Sequence, residues 1–126
     1  MLDQVAAALE PRALAPRCLV VDDDAPVRSA IAKVTQLLGL APLEAADGAA
    51  ALRLLAEQGE VPLVISDVNM PGISGMELLE EITRRYPDTA VLMLSGVADV
   101  KIAVACLDKG ALDYIAKPAL LEEVRA

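Results

Sequence analysis

The feature of this chain that most restricts its fold is a regular alternation of short apolar runs with stretches of helical periodicity. The apolar runs are rich in Val, Ile, Leu and Ala, and they occupy residues 18–21, 41–45, 63–65, 90–94 and 111–116. Apolar runs without polar alternation are typical of strands covered on both faces. We therefore predict five strands, each followed by a helix, in one parallel sheet with helices on both faces.

The helical stretches are marked by apolar residues at i, i+3, i+4 and i+7. They predict helices over about residues 27–38, 48–58, 76–86 and 100–107. Gly39 and Gly110 are expected to end the first and the fourth of these helices, and Asp47 is expected to cap the second. A fifth helix is expected to begin after Pro118 and to be cut off at Ala126.

The chain of 126 residues suits one domain of ordinary size. Residues 1–16 are Ala-rich and contain Pro11 and Pro16, so we interpret them as an N-terminal arm or linker. Residues 17–126 form the predicted α/β domain. Cys18 and Cys106 are isolated thiols in apolar surroundings, and we expect both to be small buried hydrophobic residues rather than a disulfide.

Composition excludes several classes of function. The chain contains no His, which removes the commonest zinc and haem sites and any His-based catalytic triad. Its net charge of −8 argues against binding of nucleic acid or of an anionic membrane through a basic patch. The uncharged stretches are too short to cross a bilayer, and the first residues do not resemble a signal peptide. We therefore expect a cytoplasmic protein.

Polar residues collect where the predicted strands end. Asp22, Asp23 and Asp24 follow the first strand, and the third, fourth and fifth strands end in Asp67, Ser95 and Lys117. In open α/β sheets, ligands bind beyond the carboxyl ends of the strands. An acidic, oxygen-rich pocket of this kind favours a hard cation such as Mg²⁺. The row of three aspartates is therefore expected to include ligands of a metal site.

Four segments that supply these residues, "LVVDDD", "VISDVNMPGISGMELL", "VLMLSG" and "DYIAKP", occur in the order and spacing of a known family. From about Arg17 onward the chain resembles the receiver domain of bacterial two-component response regulators. The resemblance implies the flavodoxin-like (CheY-like) strand order 2-1-3-4-5, in which ligands bind where strands 1 and 3 are neighbours. Asp22, Asp23 and Asp67 would then converge.

The resemblance also implies a role for each residue of the pocket. Asp67 would be the phosphoacceptor that takes a phosphoryl group from the phosphohistidine of a sensor histidine kinase or a phosphotransfer protein. Asp23 would bind Mg²⁺ directly, with Mn²⁺ as an alternative ion, and Asp22 would bind it through a coordinated water. Asn69 would contribute its backbone carbonyl, and Asp24 would have no ligand role. Phosphorylation and self-dephosphorylation of its own aspartate would be the only reactions that the domain catalyses.

Other residues would bind the phosphoryl group and transmit its presence. The resemblance implies that Ser95 and Lys117 contact phosphoryl oxygens and that Tyr114 turns inward as Ser95 shifts. The output surface would be the fourth helix, fifth strand and fifth helix, which could serve a homodimer or a C-terminal effector domain. A cis peptide bond between Lys117 and Pro118 is implied as well. An apolar Val97 is expected to restrict the water that hydrolyses the phosphoryl group.

Alternatives remain at each position. The aspartates after the first strand could form a solvated turn, and Lys117 could be a surface lysine opposite Asp113. Ser95 could be an ordinary polar residue at a strand end, and Tyr114 could be a packing residue. One departure from the family pattern is Ser74, which stands where Asp is common.

Three other functions compete with an active receiver. A haloacid-dehalogenase-like phosphatase would use Asp22 as nucleophile, but Pro26 stands where that family has Thr. A flavodoxin-like FMN carrier conflicts with three aspartates at the phosphate loop. A degenerate receiver, used only for interaction, would lack some of the site residues, whereas all of them are present.

Overall fold

The computed structural model of this protein describes residues 15–96 and 99–117. The strands are β1 (Arg17–Val21), β2 (Ala41–Ala45), β3 (Leu63–Asp67), β4 (Ala90–Ser95) and β5 (Asp113–Ala116). The helices of the described residues are α1 (Ala25–Leu37), α2 (Gly48–Gln58), α3 (Gly75–Arg85) and α4 (Val100–Asp108). Residues 1–14 of the predicted arm and the predicted fifth helix after Pro118 lie outside the described residues.

The five strands form one sheet in the order β2-β1-β3-β4-β5, and every neighbouring pair is parallel. This confirms the predicted fold class and strand order. Val21 of β1 lies opposite Ser66 of β3, so the residues that follow these two strands come out side by side. Asp67 in turn lies opposite Leu94 of β4, one residue before Ser95.

Alternate residues of the central strands pack on opposite faces of the sheet, as the period of a strand requires. Leu19 and Val21 belong to the larger core cluster, together with buried residues of α2, α3 and α4. Cys18 and Val20 belong to a second cluster with Ile31 of α1. The central strands are therefore covered on both faces, as their unbroken apolar runs predict.

Each helix begins with a polar cap. Asp24 caps α1, and Pro26 follows within the first turn. Asp47 caps α2 as predicted, with its side chain accepting from the Ala50 N–H at 2.7 Å. Ser74 and Asp99 cap α3 and α4. Each helix follows the carboxyl end of a strand, so the helix N-termini, with their partial positive charge, lie at the carboxyl edge of the sheet, and the caps bind their free N–H groups.

The structure differs from the sequence-based boundaries at the last strand. β5 begins at Asp113 rather than at residue 111. The Ala111 N–H donates to the Cys106 carbonyl and closes the turn after α4, and the Leu112 N–H makes the first bond to β4, at the Val91 carbonyl, one residue before the paired strand begins. β2 also differs, because it is an edge strand and only Ala45 of its residues is fully buried.

Both cysteines are free and buried, as predicted. Burial raises the pKa of the Cys18 thiol to about 12, which keeps it protonated and unreactive. Across residues 15–96 and 99–117, no helix has both the length and the apolar character that a membrane span requires.

Candidate functional site

Three carboxylates meet at the carboxyl edge of the sheet. Asp22 and Asp23 directly follow β1, and Asp67 is the last residue of β3. Because β1 and β3 are neighbours in register, one carboxylate oxygen of each residue lies within 4.8 Å of the other two. Asp22 and Asp67 are buried, whereas Asp23 is exposed. The convergence predicted from the strand order is therefore present.

The main chain and side chain of Asp22 are held by several contacts. Its N–H donates to the carbonyl of Ala45 at 3.1 Å, and its Oδ1 accepts from the N–H of Asp24 at 2.9 Å. Asp24 itself points away from the pocket, since its side chain accepts from the Val27 N–H at 3.3 Å as the cap of α1. The row of aspartates thus divides into two pocket residues and one helix cap.

Asp67 is 8% exposed, and its surroundings disfavour the charged form of its carboxyl. Burial raises the pKa of Asp67, and the nearby charge of Asp22 raises it further. The Lys117 ammonium and the N–H of Asn69, which donates to this carboxylate, act in the opposite direction but do not offset burial. The carboxylate is therefore short of positive charge.

Lys117 brings the only described cation that contacts these carboxylates. Its Nζ lies 2.8 Å from Oδ2 of Asp22 and 3.2 Å from Oδ2 of Asp67. Burial lowers the pKa of Lys117, but the hydrogen bonds and charges of the two carboxylates outweigh this and raise it overall. The lysine is thus an ammonium group within the pocket and not a surface residue facing Asp113, whose side chain accepts from the Tyr114 N–H.

The donor set fits a hard divalent cation. Three carboxylates face one ammonium, so the pocket retains an excess of negative charge. Oδ2 of Asp22 is fully buried and lies 2.8 Å from the Lys117 ammonium, a cation that it has to share with Asp67. A buried oxygen of this kind gains from a further positive partner. Mg²⁺ is usually bound through one or two carboxylates and keeps several of its waters, and the exposed position of Asp23 is compatible with such a site.

The remaining predicted residues lie around this pocket. Ser95 is 1% exposed at the end of β4, adjacent in register to Asp67. Tyr114 on β5 is half-buried and packs against the larger core cluster. Asn69 is exposed two residues after Asp67. Val97 lies outside the described residues, and so does Pro118 with the predicted cis bond.

Sequence reasoning missed two residues that support the pocket. Arg28 donates from Nη1 to the main-chain carbonyl of Asp22 at 2.8 Å. A Cβ added to Gly75 would lie 1.9 Å from the carbonyl oxygen of Asp67, so only glycine fits there. A glycine directly after the helix cap Ser74 was a visible signal. No pattern in the sequence connects Arg28 to a carbonyl six residues earlier.

Comparisons with known proteins agree with this geometry. A family model described as the response regulator receiver domain matches residues 18–126. The transcriptional regulatory protein FixJ of Azorhizobium caulinodans is 39% identical over 115 residues, covering 85% of this chain and 52% of FixJ. The response regulator protein FleR of Pseudomonas aeruginosa is 44% identical over 106 residues, covering 83% of this chain and 22% of FleR. The chain thus spans about half the length of FixJ and less of FleR.

Solved structures show the same likeness. A response regulator receiver domain from Clostridium thermocellum has a TM-score of 0.78 at 30% identity, covering 86% of this chain and 87% of its own. A response regulator from Burkholderia pseudomallei, which contains a phosphorylated aspartic acid, a calcium ion and citrate, has a TM-score of 0.77 at 29% identity, covering 88% of this chain and 65% of its own. Since one family model spans residues 18–126 and solved receivers share the fold over most of the chain, this protein belongs to the receiver domain family of two-component response regulators.

Proposed function

We propose that this chain is an active receiver whose Asp67 accepts a phosphoryl group from the phosphohistidine of a sensor histidine kinase or a phosphotransfer protein. The observation that carries the proposal is the position of the Asp67 carboxylate. It is buried, it contacts Lys117, and one of its oxygens lies within 4.8 Å of carboxylate oxygens of Asp22 and Asp23, close enough for the three residues to bind one metal ion. A degenerate receiver would have lost part of this arrangement.

The reaction is a displacement at phosphorus. One carboxylate oxygen of Asp67 forms the new O–P bond while the P–N bond to the donor histidine breaks, and the histidine keeps the electron pair of that bond. Catalysis of such a transfer consists mainly of positioning and of neutralising charge on the equatorial oxygens. Lys117, already 3.2 Å from Oδ2 of Asp67, is placed to move its ammonium onto a phosphoryl oxygen. Mg²⁺, or Mn²⁺, would supply further positive charge when bound.

Asp23, Asp22 and Asp67 would hold the ion, the first directly and the second through water, with the backbone carbonyl of Asn69 as a further ligand. The Burkholderia protein contains a calcium ion together with a phosphorylated aspartic acid, which supports a divalent cation site in this chain. The buried Oδ2 of Asp22 supports the same assignment within this chain. Dephosphorylation would occur by attack of water on the same phosphorus, so the domain would catalyse only its own two reactions.

Output would begin at the strand beside the acceptor. Ser95 lies next to Asp67 in register, and Tyr114 follows on the neighbouring strand. Ser95 would shift toward the phosphoryl group, and Tyr114 would move inward with it. The exposed side chains of Val100, Val104 and Leu107 on α4 support an interaction surface formed by α4, β5 and the following segment. That surface would serve a homodimer or a C-terminal effector domain, in the cytoplasm and without direct contact of this domain to nucleic acid or membrane.

Intact mass spectrometry after incubation with Mg²⁺ and acetyl phosphate tests the proposal. The wild-type chain should gain one phosphoryl group, and Asp67→Asn should gain none. Asp88→Asn, at an exposed aspartate on the opposite edge of the sheet, is the matched control and should behave as wild type. EDTA should prevent the gain.

Mapping of the modified residue separates the competing functions. Phosphorylation of Asp22 would indicate a phosphatase-like nucleophile, and a bound yellow cofactor would indicate a flavin carrier. An unchanged mass for both wild type and Asp67→Asn would identify a degenerate receiver and overturn the proposal.

A further inference from the structure

One arginine outside the acidic pocket connects the ends of two strands beneath it. Arg28 lies in the first turns of α1, and its side chain is 18% exposed. Its Nη1 donates to the main-chain carbonyl of Asp22 at 2.8 Å, and its Nε donates to Oε1 of Glu44 at 3.1 Å. Glu44 belongs to β2, where it lies opposite Val20 of β1. A single guanidinium therefore joins α1, the end of β1 and the end of β2.

The carbonyl that Arg28 binds belongs to the peptide group between Asp22 and Asp23. A peptide group is planar, so a bond to its oxygen restrains the tilt of the whole plane, and with it ψ of the first residue and φ of the second. The N–H of Asp22 is already held by the carbonyl of Ala45. With both ends of the Asp22 main chain held, the Cα–Cβ bonds from which the Asp22 and Asp23 carboxylates extend are restrained as well.

The two bonds that Arg28 makes depend on the shape of its guanidinium group and not only on its charge. The guanidinium is a planar fork that donates in two directions at once, whereas a lysine ammonium is a point charge on a flexible stem. Glu44 receives one arm of the fork, and its side chain is 42% exposed, so its effect on the pocket has to pass through Arg28. Losing Glu44 would leave the arginine bound to the carbonyl but free to turn.

We propose that Arg28 is a positioning residue that holds the Asp22–Asp23 peptide in the orientation needed for divalent cation binding, and that Glu44 acts through it. This inference rests on the proposed function, because it assumes that the pocket binds Mg²⁺. Residues that orient metal ligands typically change metal affinity 10- to 100-fold when removed. Arg28→Ala should therefore raise the dissociation constant for Mg²⁺ by about tenfold or more.

The experiment is a Mg²⁺ titration of the ¹⁵N-labelled chain, followed by the amide signals of residues 22–24, in wild type, Arg28→Ala, Arg28→Lys and Arg84→Ala. Arg84 is the matched control, since it loses only an ion pair with Glu81 on the surface of α3. Arg84→Ala should bind Mg²⁺ as wild type does. Arg28→Lys should restore only part of the affinity, and the metal-free spectrum of Arg28→Ala should already show shifted Asp23 and Asp24 amides.

A second variant keeps the test decisive if Arg28→Ala does not fold. Glu44→Ala should weaken Mg²⁺ binding several-fold, and Arg28→Ala/Glu44→Ala should be no weaker than Arg28→Ala, because residues that act as one unit are not additive. Wild-type affinity in Arg28→Ala or Glu44→Ala, full restoration by Arg28→Lys, or additive effects would overturn the inference and leave the proposed function standing. Failure of the wild-type chain to bind Mg²⁺ would overturn both.

Discussion

Helices α3 and α4 pack on the same face of the sheet, but they are anchored to it to different degrees. α3 buries Gly75, Leu78, Leu79 and Ile82, and its first residue lies against the carbonyl of Asp67. α4 buries only Cys106 of its described residues, and Val100, Val104 and Leu107 are exposed. Segments with few buried apolar side chains open at a lower free energy than the core.

This difference in burial suggests different functions for α3 and α4. The chain that leaves the acceptor is held by packing, because α3 buries four of its residues and Gly75 lies against the carbonyl of Asp67. The chain that follows β4 and Ser95 enters a weakly anchored helix, which can move at small cost. If Asp67 is phosphorylated, the structural response should therefore appear in α4 and not in α3.

The largest expected effect comes from truncating one buried and one exposed side chain of these helices. Leu79 on α3 is 0% exposed, so Leu79→Ala should lower the free energy of unfolding by about 2–5 kcal/mol. Val104 on α4 is 50% exposed, and Val104→Ala should change it by less than about 0.5 kcal/mol. Urea unfolding followed by circular dichroism measures both. Equal losses for the two variants would remove the distinction between the helices.

The next effect concerns the contact between α3 and the acceptor. Gly75→Ala would place a Cβ 1.9 Å from the carbonyl oxygen of Asp67 and 2.7 Å from the Cα of Val68, so the backbone has to shift. Overpacking of this kind costs about 1–3 kcal/mol. We also expect slower phosphorylation by acetyl phosphate, because Asp67 moves with its carbonyl.

Gly96→Ala is the control for this substitution. No described atom outside the adjoining residues lies within 4 Å of a Cβ at Gly96, so that variant should keep wild-type stability. Wild-type stability and wild-type phosphorylation in Gly75→Ala would show that the α3 contact does not position the acceptor.

A smaller effect follows from the raised pKa of Asp67. Burial, with the charge of Asp22, keeps the folded carboxyl protonated to a higher pH than the unfolded one. Between the two pKa values the unfolded state holds fewer protons, so stability decreases as pH rises through this window. Asp67→Asn should therefore raise the melting temperature of the metal-free chain at neutral pH, and the gain should disappear below the usual pKa range of aspartate.

Thermal melts in EDTA at neutral and acidic pH measure this gain. Added Mg²⁺ should raise the melting temperature of the wild type, since an ion that binds only the folded state adds to its stability. The difference in melting temperature between Asp67→Asn and wild type should therefore become smaller. A lower melting temperature for Asp67→Asn at neutral pH in EDTA would contradict the expected sign.

Some features of this fold could be predicted from local patterns in the sequence, and others could not. Apolar runs and the helix cap Asp47 are local signals, and they predicted the elements and the parallel sheet. The strand order came from the family resemblance, and it brought Asp22, Asp23 and Asp67 together. Strand order depends on packing between distant segments, which no local pattern specifies.

The contacts that support the acidic pocket could not be predicted from local patterns. The contact from Arg28 to the Asp22 carbonyl depends on how α1 lies across β1 and β2, and the close approach of Gly75 depends on how the loop after β3 folds back. Both are set by tertiary geometry. The weak burial of α4 was also invisible, because its apolar residues follow the same periodicity as those of a fully packed helix.

The smallest expected effect comes from the caps of the two helices. Ser74 caps α3 in a reciprocal arrangement with Glu77, and Asp99 caps α4 by accepting from the N–H groups of Lys101 and Ile102. Removing such a cap costs about 1 kcal/mol. In α3, which unfolds with the core, Ser74→Ala should lower the global free energy of unfolding by that amount.

Asp99→Ala should act differently, because α4 buries only Cys106 and is therefore expected to open without the rest of the described chain. We expect faster hydrogen exchange in the first turn of α4 and a smaller change in global stability than for Ser74→Ala. Ser74→Asp, which introduces the residue common in the family, should stay within about 0.5 kcal/mol of wild type because Ser and Asp are comparable caps. If Asp99→Ala instead lowered global stability as much as Ser74→Ala, without a local increase in exchange, α4 would unfold with the core and could not be the freely moving helix of the pair.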